Sequence, residues 1–225
     1  MNPPTLSLVM PVLNEAGHLA ARLDALQSWR ELAELIVVDG GSEDESLALA
    51  VPRADRAMSA ARGRARQQNA GAAAAGGDYL LFLHSDTELG IPPDQFLAEL
   101  EDRPPWGFFA VRLEGSDWRF RIIERFMGWR SRLSGVATGD QAIFVRRELF
   151  ESLGGFADIP LMEDVEFSKR LRRVASPRVL RPAVVTSSRR WEQRGVLRTV
   201  LLMWELRLRY WLGAPPADLE RRYRG

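Results

Sequence analysis

Acidic residues follow three separate apolar runs of the chain. Glu15, Asp39 and Asp86 each lie within a few residues of the end of such a run. In open α/β sheets, ligands bind beyond the carboxyl ends of the strands. If the runs are parallel strands, these three carboxylates share one edge of a sheet, where a ligand can bind. A solvated loop explains any one of them equally well, but explains less readily that all three lie close to a strand end.

The basic residues and histidines limit the classes of reaction. Lys169 is the only lysine among 31 basic residues, and His18 and His84 are the only histidines. A P-loop needs a lysine after its glycines, and two histidines leave little room for a three-histidine metal site or a Ser-His triad. The chain has no cysteine, which excludes a disulfide scaffold, a thiolate metal centre and a thiol nucleophile.

Charge and hydropathy bear on partners and location. The 31 basic and 30 acidic residues give a formal net charge of +1, so we expect no nucleic-acid partner bound by bulk charge. The N-terminus has no basic region ahead of an apolar segment, and no stretch reaches about 18 uninterrupted apolar residues. We therefore expect a cytoplasmic protein, and peripheral contact with the inner face of the membrane stays open.

Alternating strand and helix patterns position the acidic residues. Apolar runs at 6–10, 35–38 and 79–83 predict buried strands, and residues 62–75 predict a helix. Ser42 and Glu45 match a capping box, which predicts that another helix begins at Ser42. The pattern predicts an α/β fold with a mostly parallel central sheet flanked by helices.

The second half is rich in arginine and tryptophan. Residues 142–145 predict a strand, 163–174 a helix and 179–186 an extended segment. We expect one domain over residues 1–190, with residues 191–225 as an amphipathic C-terminal helical extension packed on it. The segments 118–133 and 191–211 interleave arginine with aromatic residues. They can form an acceptor wall, a membrane-surface patch, or helices packed on the sheet.

Six ordered blocks of the sequence resemble the family 2 glycosyltransferases, which have the Rossmann-like GT-A fold. They are Pro11-Val12-Leu13-Asn14-Glu15; Val37 to Ser42 with Asp44; Arg62-Gly63 through Asn69 and Gly71; Leu83 to Thr87; Thr138-Gly139-Asp140 with Gly154-Gly155-Phe156; and Glu163-Asp164. The family usually has Asp-x-Asp where this chain has His84-Ser85-Asp86. The compact size, this variant and Arg190-Trp191 are most similar to the small bacterial transferases named for arsenosugar biosynthesis.

The resemblance implies an inverting, metal-dependent transferase. The donor would be a nucleoside-diphosphate sugar, expected to be a UDP-sugar, and the acceptor an unknown small-molecule or lipid-linked hydroxyl compound. Mn²⁺ or Mg²⁺ would bind at Asp86, with His84 as a doubtful second ligand that can equally be structural. The implied donor-binding residues are Pro11, Leu13, Glu15, Asp39, Gly40, Arg62, Arg66, Asn69, Ser85 and Asp86.

The remaining implied roles fall in the second half. Asp164 would be the general base that takes the acceptor proton, with Glu163 as a second catalytic candidate. Gly139 and Asp140 would bind the acceptor. A late loop containing Arg189, Arg190 and Trp191 would cover the donor phosphates.

Structural roles compete with several of these assignments. Asp39 can simply shape a turn, Arg62 and Arg66 can lie on a solvated helix face, and acidic residues at 163 and 164 can compensate a helix dipole. At the level of function, a sugar nucleotidyltransferase normally has a phosphate-binding lysine, which this N-terminal half lacks. A non-catalytic module that binds membrane or nucleic acid leaves the acidic sheet edge unexplained.

Overall fold

A mixed eight-stranded sheet forms the centre of the protein in a computed structural model that describes residues 3–188 and 195–224. The strands are β1 (Leu6–Val12), β2 (Ala33–Asp39), β3 (Arg56–Ser59), β4 (Tyr79–Phe82), β5 (Thr87–Glu88), β6 (Trp106–Leu113), β7 (Phe144–Arg146) and β8 (Arg178–Thr186). The helices are α1 (Ala16–Ala25), α2 (Gln27–Arg30), α3 (Ser46–Ala50), α4 (Arg64–Ala74), α5 (Pro93–Leu100), α6 (Trp118–Ser134), α7 (Arg147–Ser152), α8 (Glu163–Val174), α9 (Val196–Trp211) and α10 (Pro216–Arg224).

The strand order is β3-β2-β1-β4-β7-β6-β8-β5. The first four strands pair in parallel, with Val12 opposite Asp39, so the loops after β1 and β2 emerge at the same sheet edge. Strand β7 enters antiparallel between β4 and β6, β6 and β8 pair in parallel, and β5 pairs antiparallel with β8. The predicted α/β class with a mostly parallel sheet is confirmed.

Both faces of the sheet are buried. Along β1, Leu8 and Met10 pack into one apolar cluster, whereas Val9 packs into a second cluster on the opposite face. Because successive side chains of a strand alternate between faces, a strand covered on both sides is apolar throughout. This is why β1, β2 and β4 are recognisable as apolar runs in the sequence.

The predicted helix start at Ser42 is wrong. Helix α3 begins at Ser46, and the Ser42 hydroxyl donates to the Asp39 carboxylate instead of capping a helix. Asp44 accepts hydrogen bonds from the Ser46 backbone N–H and from the Ala16 backbone N–H. The local turn is therefore stabilised by aspartate side chains that a capping-box pattern does not consider.

Aromatic packing fixes the position of α8. Phe167, fully buried one turn into the helix, contacts Phe150 and Phe156 at ring-centroid distances of 5.3 and 4.7 Å. Phe82 at the end of β4 contacts the same two rings. The start of α8 is thus held rigidly relative to the sheet edge that follows β4.

Helix α9 packs on the remainder of the protein through one side. Leu206 is fully buried in a cluster with Met162, Val165 and Leu219. Val196, at the first turn, packs with Phe120 of α6. The predicted boundary between the domain and its C-terminal extension at residue 190 stays a prediction. Described residues before and after this boundary pack together in the same apolar clusters.

Candidate active site

A cavity of about 1170 Å³ lies where the sheet edge meets the starts of α4 and α8 and the sides of α6 and α9. This volume is slightly above the usual range for small-molecule sites, about 300–1000 Å³. Its charged and imidazole lining includes Glu15, Arg64, His84, Asp86, Asp140 and Asp164. Its apolar lining comes mainly from α6 and α9, so the cavity combines a polar centre with an apolar wall.

Asp164 faces this cavity from the first turn of α8. Its Oδ2 accepts a hydrogen bond from the Gly139 backbone N–H at 2.6 Å, and its Oδ1 accepts one from the Val165 backbone N–H at 2.7 Å. A carboxylate with both oxygens oriented by backbone donors has a defined position relative to a bound molecule. Asp164 therefore presents an oriented carboxylate to the cavity.

Gly139 brings His84 close to Asp164. A Cβ atom on Gly139 would lie 2.5 Å from His84 Cε1 and 3.5 Å from Asp164 Oδ2. The short 3₁₀ turn at Gly139–Gln141 is held by a reciprocal pair of hydrogen bonds between Thr138 and Gln141. Only a residue without a side chain fits between the imidazole and the carboxylate.

Glu163 is placed differently from its neighbour. Its side chain is buried, and its Oε1 accepts a hydrogen bond from Arg64 Nη1 at 3.1 Å. Burial raises the pKa of Glu163 to about 7, with the Asp164 carboxylate adding to the rise and Arg64 opposing it. Glu163 does not line the cavity, but it contacts Arg64, which does line it.

Arg64 is the residue that sequence analysis missed. Loss of hydration lowers the pKa of its guanidinium, but the surrounding carboxylates more than offset this and raise it above the ordinary value. Those carboxylates are Glu163, Asp164, Asp86 and Asp140. Arg64 is consequently a positive charge surrounded by four acidic groups, of which Asp86, Asp140 and Asp164 line the cavity.

The predicted phosphate contacts Arg62 and Arg66 do not line the cavity. Arg62, Arg64 and Arg66 are all exposed, so exposure does not separate them. Arg64 lines the cavity, whereas Arg66 Nε donates to Asp158 at 2.7 Å. The helix begins at Arg64, after Gly63 with φ at 136°, and this start directs the intermediate arginine into the site. The signal for it was Gly63, because glycine is accepted at the residue before a helix and can adopt a positive φ there.

Asp140 and Arg130 add two further charged side chains to the lining. Burial raises the pKa of Asp140, while its hydrogen bond with Thr138 and the charge of Arg130 lower it. Burial also lowers the pKa of Arg130, which the Asp140 carboxylate opposes. Arg130, on α6, was likewise not singled out in the sequence.

The residues available to a divalent cation are Asp86 and His84, which both line the cavity. Within residues 3–188 and 195–224, no group of three histidine or acidic side chains has the geometry to hold a metal ion alone. Mg²⁺ and Mn²⁺ bound with nucleotides commonly take one or two carboxylates and complete their shell with phosphate oxygens and water. The side chains here fit that arrangement.

Other predicted donor residues have structural contacts. The buried Asp39 carboxylate accepts hydrogen bonds from the backbone N–H groups of Gly41 and Ser42 at 2.8 and 2.9 Å. The Asn69 side chain donates to the Phe156 carbonyl and accepts from the Phe156 N–H, at 2.8 and 2.9 Å. Their roles in donor binding stay predictions.

The remaining predicted donor-binding residues lie near the ends of β1, β2 and β4, and the predicted phosphate-loop residues lie outside the described part of the chain. A Cβ atom on Gly40 would meet the Gln67 side chain at 2.8 Å, so this glycine allows close packing. Glu15 lines the cavity and pairs with His18 at 2.8 Å. Pro11 and Leu13 are partly exposed, and Ser85 is buried, near the ends of β1 and β4. Arg189, Arg190 and Trp191 lie outside the described residues.

The profile of glycosyl transferase family 2 matches residues 7–153, which is more than half of the chain. The chain belongs to glycosyl transferase family 2. It is also 32% identical over 192 residues to an uncharacterized glycosyltransferase found in Mycobacterium tuberculosis strains CDC 1551 and H37Rv, covering 79% of this chain and 72% of that protein. The protein is therefore a glycosyltransferase. The finer likeness to arsenosugar transferases stays a prediction.

Solved structures support the GT-A fold of this family 2 glycosyltransferase. A mannosyltransferase from Pyrobaculum calidifontis, in complex with GDP-Man and Mn²⁺, is 20% identical with a TM-score of 0.61, and the match covers 83% of this chain and 57% of that one. S. aureus TarS residues 1–349, in complex with UDP, is 16% identical with a TM-score of 0.64, and the match covers 81% of this chain and 60% of that one. Glucosyl-3-phosphoglycerate synthase from M. tuberculosis, in complex with Mn²⁺ and UDP, is 20% identical with a TM-score of 0.55, and the match covers 82% of this chain and 70% of that one.

A helix that crosses a bilayer must be both long and apolar enough. Among the described residues, none of the helices meets both requirements.

Proposed function

We propose that this glycosyltransferase moves a sugar, with inversion at the anomeric carbon, from a UDP-sugar to an acceptor hydroxyl in the presence of Mn²⁺ or Mg²⁺. The observation that carries the proposal is the meeting of Asp86, Arg64 and Asp164 in one cavity. Asp86 comes from the loop between β4 and β5, Arg64 from the start of α4 and Asp164 from the start of α8. Together they supply the charges that both sides of the reaction need.

Arg64 and Asp86 form the donor side of the proposed site. The diphosphate that leaves the sugar gains negative charge in the transition state, and a preoriented guanidinium stabilises that charge. A divalent ion held by Asp86, with His84 as a further candidate ligand, would neutralise the same diphosphate. The pairing of Arg64 with buried Glu163 at 3.1 Å keeps the guanidinium in place, so we assign Glu163 a positioning role.

Asp164 forms the acceptor side. As the acceptor oxygen bonds to the anomeric carbon, the bond from that carbon to the diphosphate oxygen breaks, and the hydroxyl proton passes to an Asp164 carboxylate oxygen. Attack on the face opposite the leaving group inverts the configuration. Gly139 and Asp140, which line the same cavity, are the proposed acceptor contacts.

The choice of uridine rests on the resemblance and on two related structures. TarS and the mycobacterial synthase were solved with UDP, whereas the Pyrobaculum mannosyltransferase was solved with GDP-Man. The acceptor remains a small-molecule or lipid-linked hydroxyl compound, and the protein is proposed to be cytoplasmic, with peripheral membrane contact through the C-terminal helix. Arg189, Arg190 and Trp191 remain the proposed contacts to the donor phosphates.

A donor screen by thermal unfolding tests the proposal. UDP- and GDP-sugars are added with Mn²⁺ or with EDTA to the wild type, to Asp86→Asn and to the exposed-carboxylate control Glu148→Gln. A ligand at 100 times its Kd adds about 2.7 kcal/mol to the stability of the folded state. We expect Mn²⁺-dependent stabilisation by UDP-sugars in the wild type and control, and its loss in Asp86→Asn. Stabilisation by GDP-sugars alone would overturn the choice of uridine, and no stabilisation by any donor would overturn the proposed function.

A further inference from the structure

Two stripes of exposed apolar side chains run along α6 and α9. Of the 14 large apolar side chains that are exposed among the described residues, 11 lie on these helices or on Leu212 directly after α9. On α6 they are Trp118, Ile122, Phe126, Trp129 and Leu133; on α9 and directly after it they are Leu197, Leu201, Trp204, Leu208, Trp211 and Leu212. Each series recurs mainly at intervals of three and four residues, which keeps it on one side of its helix.

The stripes belong to neighbouring parts of one surface. Phe120 of α6 packs with Val196 of α9, which joins the two helices near their N-termini. Phe126 and Trp129 of α6 and Trp204 of α9 are exposed and also line the cavity. The apolar surface is therefore continuous with the wall of the proposed active site. An exposed apolar surface of this extent marks an interaction site in a folded protein.

Charge distinguishes among the partners that this surface could have. The two helices carry eight arginines and two glutamates, whereas the whole chain has a net charge of only +1. Arg125, Arg132 and Arg198 are exposed, and none of them forms a salt bridge to another described residue. Amphipathic helices with tryptophan and leucine on one side and arginine beside it are typical of contact with an anionic bilayer surface.

We propose that α6 and α9 together form a docking face for an anionic bilayer. The tryptophan and leucine side chains enter the interface between headgroups and acyl chains, and the unpaired arginines bind lipid phosphates. Because aromatic and apolar side chains of this face line the cavity, docking holds the cavity against the membrane. This inference goes beyond contact by the C-terminal helix alone, since it includes α6 and specifies the charge of the lipid.

Vesicle co-sedimentation tests the docking face without any donor or acceptor. The full chain is mixed with vesicles of phosphatidylcholine, alone or containing phosphatidylglycerol. We expect binding to the anionic vesicles, weakened by salt. The double variant Arg132→Gln/Arg198→Gln should bind them about fivefold more weakly for each charge removed.

A matched pair of variants separates apolar insertion from bulk charge. The stripe variant, Leu133→Glu/Leu201→Glu, places two negative charges at stripe positions that are 69% and 66% exposed and do not line the cavity. The control variant, Val51→Glu/Val174→Glu, places two negative charges at positions outside the stripes that are 62% and 56% exposed. The stripe variant should bind at least about tenfold more weakly than the control variant. Equal binding by the two variants would overturn the proposal.

A second copy of the chain is the competing occupant. Light scattering after size-exclusion chromatography, without lipid, should give a monomer for the wild type. A dimer that Leu133→Glu/Leu201→Glu abolishes, together with no vesicle binding by the wild type, would overturn bilayer docking and assign the face to self-association. UDP-induced thermal stabilisation of the same variants reports on the proposed function separately, so that either inference can fail without the other.

Discussion

Asp164 and Glu163 are adjacent carboxylates with opposite surroundings. Asp164 lines the cavity with its oxygens bound to backbone N–H groups, and Glu163 is buried against Arg64. Neighbouring residues of a helix point about 100° apart, because the helix has about 3.6 residues per turn. The sequence identified the pair and ranked Asp164 first through a resemblance, but the direction of each side chain depends on how α8 is rotated by its packing.

Glu163 should make stability depend on pH. Its pKa of about 7 in the folded protein exceeds its ordinary value of 4.5, so between these values the folded state binds a proton that the unfolded chain has released. The free energy of unfolding associated with this group therefore falls as pH rises from about 4.5 to 7. Glu163→Gln removes this titration.

Thermal unfolding at a series of pH values checks this expectation. The difference in Tm between the wild type and Glu163→Gln should change across that window and level off on either side of it. The control Glu148→Gln, at an exposed position, should run parallel to the wild type. Parallel curves for both variants would show that Glu163 is not perturbed in the folded protein.

Gly139→Ala should disturb the site through His84. The new methyl group would lie 2.5 Å from the imidazole, so either His84 or the turn must move, at a cost of about 1–3 kcal/mol. Urea unfolding should show this loss, and metal-dependent UDP binding should weaken. The matched control is Gly128→Ala on α6, where nothing lies within 4 Å of the added carbon, and stability there should be unchanged or should increase. Equal stability of the two variants would contradict the assigned packing.

At the scale of elements, strands buried on both faces were the most predictable parts. The apolar runs located β1, β2 and β4 and the acidic residues after them, and the helix predicted at 163–174 coincides with α8. Strand β6 was not identified although Trp106, Phe108 and Phe109 are buried in it. A short apolar run does not distinguish a buried strand from a buried helix, and the antiparallel entry of β7 beside it depends on long-range pairing.

The start of α4 shows how a small boundary error changes a site. The predicted helix began at Arg62, and the observed one begins at Arg64. The arginines at 62, 64 and 66 are two residues apart, so a shift of two residues changes which of them faces the cavity. The direction of Arg64 depends on the positive φ of Gly63 and on the buried Glu163 carboxylate, which comes from a distant part of the sequence.

Helix α9 should contribute to the stability of the whole fold through its buried side. Leu206→Ala removes a fully buried side chain packed against Met162 and Val165, which should cost about 2–5 kcal/mol. Leu201→Ala, at an exposed position of the same helix, should stay within about 0.5 kcal/mol of the wild type. Urea unfolding followed by tryptophan fluorescence measures both. Equal stabilities would mean that α9 is not part of the cooperative unit.

At the scale of the whole molecule, the site joins the two halves of the chain. Glu15, Arg64 and Asp86 come from the half that the sequence patterns resolved, whereas Asp140 and Asp164 come from the half that they resolved poorly. The parallel strands expected from the apolar runs predicted a shared edge for Glu15 and Asp86, but not for Arg64. The arrival of Asp164 at that edge was implied only by resemblance, because it requires the antiparallel β7 and the aromatic packing of α8.

The most direct measurement of the central claim compares UDP release and UDP binding in Asp164→Asn. Release from the stabilising UDP-sugar is followed with Mn²⁺, with water or a hydroxyl acceptor as the attacking group, for the wild type, Asp164→Asn and Glu148→Gln. Asparagine keeps the shape of the side chain but cannot take the proton, so release should slow by about 10²- to 10⁴-fold. UDP affinity by calorimetry should be unchanged, and the control should match the wild type in both. Near-normal release by Asp164→Asn would contradict the assignment of Asp164 as the general base.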